Sequence, residues 1–168
     1  MKKLLLLLLL PIFCFSQQNA FLGIDFGMTK DEIKKEIKLD REKYKSVPIG
    51  GYLWRYYYQN NTYDYKGGVK LVRLTPKGSG LFGLSEHAAK NVFSDLINTL
   101  IEQGYESMGS NIRSSNYLEF KISETYSFQS KVKGKNIFIG TPLFDGSIFL
   151  NLVIMPYSER VKSKESVL

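Results

Sequence analysis

His87 is the only histidine in the chain, and acid–base chemistry near neutral pH would fall to it first. It lies in the first turn of a helix expected to start at Ser85. There the helix dipole disfavours the protonated ring and would suit a neutral general base. Ser85 and Glu86 adjoin it, but successive helical residues do not face one another, so a catalytic partner must come from elsewhere. An acid pair such as Asp64 and Asp145 could serve if folding gathered both in a concave pocket with His87. Nothing in their spacing requires this, and a surface histidine at a helix end accounts for His87 as well. No catalytic residue is assigned.

Two further patterns invite chemistry and do not sustain it. Gly78, Gly80 and Gly83 spell G-x-G-x-x-G between a strand and a helix. In a dinucleotide site the helix opens within the glycines, whereas here residues 81–84 read as a short strand and Ser85 as the cap. The residues after the helix, 105–115, are polar and read as a turn, not as a buried parallel strand. The single cysteine, Cys14, falls inside an export signal. Met1, Lys2 and Lys3 form a basic start, residues 4–10 an apolar run, and Cys14 and Ser16 the small residues before a cut at Gln17. Residues 1–16 therefore read as a signal peptide. The run is too short to be a stable membrane span. Bulky Phe13 stands where a lipidation signal wants a small residue.

A mature chain without cysteine makes no disulfide and has no thiol chemistry. One histidine and no cysteine cannot supply the converging ligands of a dedicated transition-metal site, so no metal or cofactor is expected. The net charge is +7, falling to +5 once Lys2 and Lys3 are removed. Residues 30–45 interleave bases with acids, which is the pattern of a solvated helix face and not of a one-signed nucleic-acid patch. No nucleic-acid partner is expected.

The most distinctive composition is aromatic. Residues 52–59, YLWRYYYQ, read as a strand, with Asn60 and Asn61 as a two-residue turn and residues 62–66 returning. Pairing Gln59 with Thr62 sets Tyr58 opposite Tyr63 and Tyr56 opposite Tyr65. Alternation then gives one sheet face bearing Trp54, Tyr56, Tyr58, Tyr63 and Tyr65. Such a face is either covered by a helix or exposed as a binding platform for a protein or a glycan.

The elements that must position these residues begin at residues 21–37. Thr29 is an N-cap, Glu32 completes a capping box, and Met28 with Ile33 has the spacing of a hydrophobic staple. Gly23 and Gly27 bracket a short extended segment. Residues 40–51, broken by Pro48, Gly50 and Gly51, read as a loop. Residues 69–75 read as a strand with Val69, Leu71 and Arg73 on one side. A long helix follows, capped by Ser85 and ended by Gly104. Its apolar rows are Ala88, Val92, Leu96, Leu100 and Ala89, Phe93, Ile97, Ile101. Residues 117–122, 126–132 and 136–141 read as strands. Asp145-Gly146 turns into residues 147–155, whose Ile148, Leu150, Leu152 and Ile154 share a face and suggest a central strand.

The stretch F-L-G-I-D-F-G-M-T-K-D-E, residues 21–32, resembles the opening motif F-x-G-I-x-[FW]-G-[MS]-[ST]-x-x-E of small exported bacterial domains. Gly27-Met28-Thr29 with Glu32 is also similar to the small lipoprotein of the barrel-assembly machinery, without that protein's lipidated cysteine. The resemblance implies an exported, non-enzymatic α+β domain and transfers no site.

The expected architecture is one α+β domain over residues 17–157, with a polar tail at 158–168. Two helices lie on one face of an antiparallel sheet, in an order that would suit a duplicated helix-plus-meander unit. The expected function is that of a periplasmic or secreted protein acting by protein–protein contact in the cell envelope, as an accessory factor or an inhibitor or immunity-type partner. A glycan is a second candidate partner. The alternative is an envelope hydrolase or a carrier of a small glycan or lipid.

Overall fold

Local instructions at the start of the chain are carried out in full. In the computed structural model, which describes residues 18–45, 47–49, 52–59, 68–77, 83–110 and 119–158, helix α1 spans Lys30–Leu39. The Thr29 hydroxyl accepts from the Glu32 amide at 3.4 Å, and Glu32 Oε2 accepts from the Thr29 amide at 2.7 Å. These bonds occupy two amides that the helix itself cannot pair. They also hold the Glu32 carboxyl below its usual range. Before the helix, β1 (Asn19–Phe21) and β2 (Ile24–Asp25) form a small antiparallel pair. Met28 and Ile33 both pack on the main core, which anchors α1 although none of its own residues is fully buried.

The main sheet has seven antiparallel strands. In chain order they are β3 (Val47–Ile49), β4 (Tyr52–Gln59), β5 (Leu71–Pro76), β6 (Glu106–Ser110), β7 (Thr125–Ser130), β8 (Lys135–Gly140) and β11 (Asn151–Pro156). In space they run β3-β4-β5-β11-β8-β7-β6. Each helix is followed by an antiparallel meander, β3-β4-β5 after α1 and β6-β7-β8 after α2 (Glu86–Glu102). The two halves join where β11 pairs with β5. This is the expected α+β architecture. A second small pair, β9 (Leu143–Phe144) and β10 (Ser147–Ile148), turns through Asp145 and Gly146, whose φ values are 48° and 70°. That is the hairpin chemistry the two residues imply.

α2 is the central packing element. Ser85 caps it by accepting from the Ala88 amide at 3.3 Å. Gly104, at φ 78°, ends it by donating to Ile101, while Tyr105 donates to Leu100, both at 2.9 Å. This reciprocal pair is the Schellman arrangement, which needs the left-handed residue that glycine supplies. Ala89, Val92, Phe93, Leu96, Ile97 and Leu100 are buried, whereas Ile101 is half exposed and lies outside the stripe expected for it. The helix lies on the inner face of the sheet and reaches β3 at one edge. Phe93 packs on Tyr126 of β7 at 4.6 Å between ring centroids.

Several expected elements differ. The segment read as a loop holds β3, because Pro48 is tolerated on an edge strand, where one side of the ladder needs no donor. The segment read as a turn after α2 holds β6, a polar edge strand with a register shift between Ser107 and Gly109 that hides its alternation. Residues 119–122 are not a strand. The long strand expected over residues 147–155 is broken, so that Ser147–Ile148 pairs locally and only Asn151–Pro156 joins the main sheet. β11 is central, but buried on one face only.

Trp54 is fully buried, with its indole N–H donating to the Ile49 carbonyl at 3.1 Å. Trp54→Ala should lower the urea unfolding free energy by about 3–5 kcal/mol, the cost of a large core cavity. Thr29→Ala should cost only about 1 kcal/mol, the worth of one cap. Both are read from equilibrium unfolding, and near-equal losses would contradict this division between core and cap.

Candidate recognition face

The side of β4 that carries Trp54, Tyr56 and Tyr58 is a single face, as strand alternation requires, and it points inward. Trp54 has no exposed surface, and Tyr56 and Tyr58 pack against the core cluster. The Tyr56 hydroxyl donates to the Tyr44 carbonyl, and the Tyr58 hydroxyl donates to the Phe21 carbonyl at 3.1 Å. Their rings meet edge to face at 5.6 Å, and Phe21 meets Tyr56 in the same way at 5.6 Å. These side chains tie the N-terminal segment and the turn after α1 to the sheet; Trp54 is core, and Tyr56 and Tyr58 are half-buried. Tyr63 and Tyr65, with the turn at Asn60-Asn61, lie outside the described residues. The strand that pairs with β4 is β5, which sets Tyr56 opposite Leu74 and Tyr58 opposite Val72.

The opposite face is the accessible one. β4 points Leu53, Arg55 and Tyr57 outward, and Leu53 and Tyr57 are each 48% exposed. The ladder continues the row across the sheet. Tyr57 faces Arg73, Arg73 faces Val153, Val153 faces Phe138, and Phe138 faces Ser127. Among the described residues no helix packs on this side. Where β8 passes into the β9-β10 hairpin, a groove of about 360 Å³ opens on the same face. Phe138, Leu143 and Val153 line it together with Thr125, Asn151 and the buried carboxylate of Glu124. Gly140 leaves room for the Asn151 amide, which would lie 3.1 Å from a side-chain carbon there. Leu143 is 49% and Phe144 72% exposed at the hairpin tip. The cross-strand register is what makes these positions contiguous.

Among the described residues no hydrogen bond or ion pair joins any two of the acid–base candidates. His87 is exposed, and its Nε2 lies 3.3 Å from the Asn91 amide nitrogen. Asp145 is on the exposed hairpin turn, and Asp64 lies outside the described residues. Glu124 is the one buried carboxylate among the described residues, and it sits by the Tyr126 hydroxyl, not by His87. That hydroxyl donates to the Glu119 carbonyl at 2.6 Å and accepts from the Lys121 amide at 2.8 Å, which pins residues 119–121 over the inner face. Among the described residues no group of three or more His, Cys, Asp or Glu side chains could hold a metal ion. No helix among them is long and apolar enough to cross a membrane.

Burial pushes the Tyr56 phenol up to about 12, with the neighbouring Tyr44 phenol adding to the effect. Burial also raises Tyr58, with smaller contributions from Tyr56 and Tyr44, and it raises Tyr105 and Tyr126. A phenol with a raised folded pKa holds its proton longer in the native state than in the unfolded chain. Its contribution is therefore complete below the ordinary value of 10 and is lost as pH rises through about 12. Unfolding free energy should fall across that window. Tyrosinate absorbance should show exposed phenols ionising first, and Tyr56→Phe should flatten the loss. An unchanged slope in that variant would remove Tyr56 as a cause.

With the fold and both sheet faces described, comparison adds no relative: no family model, no curated protein and no solved structure matches the chain.

Proposed function

We propose that this chain is an exported, non-catalytic binding protein that acts by protein–protein contact in the cell envelope, as an accessory factor or as an inhibitor or immunity-type partner. The observation that carries the reading is the outer sheet face. Leu53, Tyr57 and Leu143 stay exposed there, while the inner face is closed by α2 and by the segment before β3. Rigid aromatic and aliphatic side chains on a sheet, with Arg and Tyr adjacent, have the composition of interface cores. The described hydrogen-bond neighbour of His87 is Asn91 and not a carboxylate, which argues in the same direction, because general acid–base catalysis needs its groups within hydrogen-bond reach.

Export rests on the form of residues 1–16. The chain after the expected cut enters the fold at once, since the Gln18 carbonyl accepts from the Phe26 amide at 2.9 Å. A small-ligand carrier is the second reading. It draws on a groove of about 790 Å³ between α2 and residues 119–122, lined by Phe93, Ile97, Ile101 and Phe120. That volume lies within the range of small-molecule sites.

Mass spectrometry of the chain purified from the envelope of its native host should give an N-terminus at Gln17. Retention of residues 1–16, or a lipid on Cys14, would overturn the export reading. Affinity purification from the same fraction should yield a stoichiometric protein partner. Tyr57→Ala with Leu143→Ser should lose that partner at an unchanged urea midpoint, whereas Val132→Ala, on a turn and 99% exposed, should keep it. A solitary monomer that instead carries a co-purified apolar small molecule would favour the carrier.

A further inference from the structure

We infer that the edge of β4 beyond β3 takes up an extended segment of a partner protein as an added antiparallel strand, held by the backbone groups of Tyr56 and Tyr58. The inference rests on the binding function proposed above and names how the partner is held.

The ladder identifies the groups. The Lys77 amide donates to the Leu53 carbonyl at 2.6 Å, next to the Trp54–Pro76 pair. Hydrogen bonding alternates along an antiparallel strand, so Leu53, Arg55, Tyr57 and Gln59 direct their amides and carbonyls toward β5. The Gln59 carbonyl, which accepts from the Lys70 amide at 3.0 Å, agrees with this. Trp54, Tyr56 and Tyr58 therefore direct theirs the other way. Trp54 meets Val47 there, but Val47 is the first residue of β3, and the ladder stops with it.

The chain before β3 does not carry the ladder on. The register of β3 on β4 would set Lys45 opposite Tyr56 and Lys43 opposite Tyr58. The Lys45 amide instead donates to the Glu42 carbonyl at 3.2 Å, and the Lys43 amide donates to Asp40 Oδ1 at 3.1 Å, both within the turn after α1. Among the described residues, the backbone groups of Tyr56 and Tyr58 on this side have no partner. A slot of about 390 Å³ opens along them, with Ile37, Tyr44 and Lys45 on one wall and residues 55–58 on the other. Tyr44 also keeps a buried hydroxyl with no partner among the described residues.

An open strand edge is a template, because its amides and carbonyls match those of another extended chain. Tyr56 and Tyr58 repeat at about 7 Å, the two-residue step of a strand, so a segment of three residues pairs with both. Residues of the segment opposite Tyr56 and Tyr58 share their inward face, where Ile37 and Tyr44 offer apolar contact. The segment is therefore apolar at alternate positions. Tyr57 borders both the slot and the outer face, so the added strand extends the surface on which the binding function rests. A second copy fits less well. Its own edge is walled in the same way by the turn after α1, and two recessed edges do not close on one another.

The test uses the full chain and a synthetic peptide of alternating valine and threonine, labelled at one end, read by fluorescence anisotropy and by amide hydrogen exchange. In the free chain the Tyr56 and Tyr58 amides should exchange faster than those of Arg55 and Tyr57. Saturating peptide should slow them about tenfold or more, because they gain a partner. In the added strand the valines face inward, and their amides face β4. N-methylation of the valine amides should therefore abolish binding, whereas N-methylation of the threonine amides should leave it within about twofold. Ile37→Glu should weaken the unmodified peptide several-fold at an unchanged urea midpoint. Equal affinity for the two methylated peptides would overturn the inference, as would no binding of the unmodified one, or binding that leaves Tyr56 and Tyr58 exchange unchanged. Protection of these amides in the free chain would also overturn it, assigning the edge to a second copy if it rises with protein concentration and to the chain itself if it does not. Native partner capture without protection of these amides removes this docking edge and leaves the binding function standing, whereas no capture by the unaltered chain removes the function itself.

Discussion

A phenol taken out of water gains from a hydrogen bond inside the fold, and two phenols that keep one tie this fold together. Tyr56 and Tyr58 leave the same face of β4 and donate to the carbonyls of Tyr44 and Phe21, residues far from them in the chain and from each other. Leaving either hydroxyl unpaired would cost about 1–3 kcal/mol, so the segment before β3 must lie where the carbonyls are. That placement closes one end of the inner face. α2 closes the rest, with its apolar stripe meeting Trp54, Leu74, Tyr126 and Ile139 in one core.

Closing the inner face assigns the outer one. Every strand alternates, so once Val72, Leu74, Leu152, Ile154, Ile137 and Ile139 are committed inward, Arg73, Val153 and Phe138 can only point out. The cationic and apolar character of that face follows from register, with no further rule. β5 pairs with β11, two strands separated in the chain by α2 and the whole β6-β7-β8 meander, and this one junction brings Arg73 next to Val153. A slip of one residue there would turn the arginine into the core.

Much of the architecture was legible because it is local. The capping box at Thr29 and Glu32, the Ser85 cap, the Gly104 stop and the Asp145-Gly146 turn each involve residues a few positions apart, and all form as read. β3 and β6 were not legible. Pro48 signals a break in isolation, and only an edge position without a needed donor makes it acceptable. The polar residues of Glu106–Ser110 carry too little alternation to mark a strand, and pairing with β7 holds them instead. The strand expected near residues 119–122 failed for the opposite reason, because Tyr126 binds their backbone from the side and takes groups a ladder would have used.

The amino-acid sequence alone determined the starts of the two helices and the Gly104 end of the second, the aromatic strand, the hairpin turn and the membership of Trp54, Tyr56 and Tyr58 in one face. These depend on capping, periodicity and turn chemistry, which act over a few residues. Tertiary structure alone decided that this face turns inward, that β4 pairs with β5, and that Arg55, Tyr57, Arg73, Val153 and Phe138 share the outer face of one sheet. Alternation gives every strand two faces, and which of them meets water depends on where the helices and the distant strands come to rest.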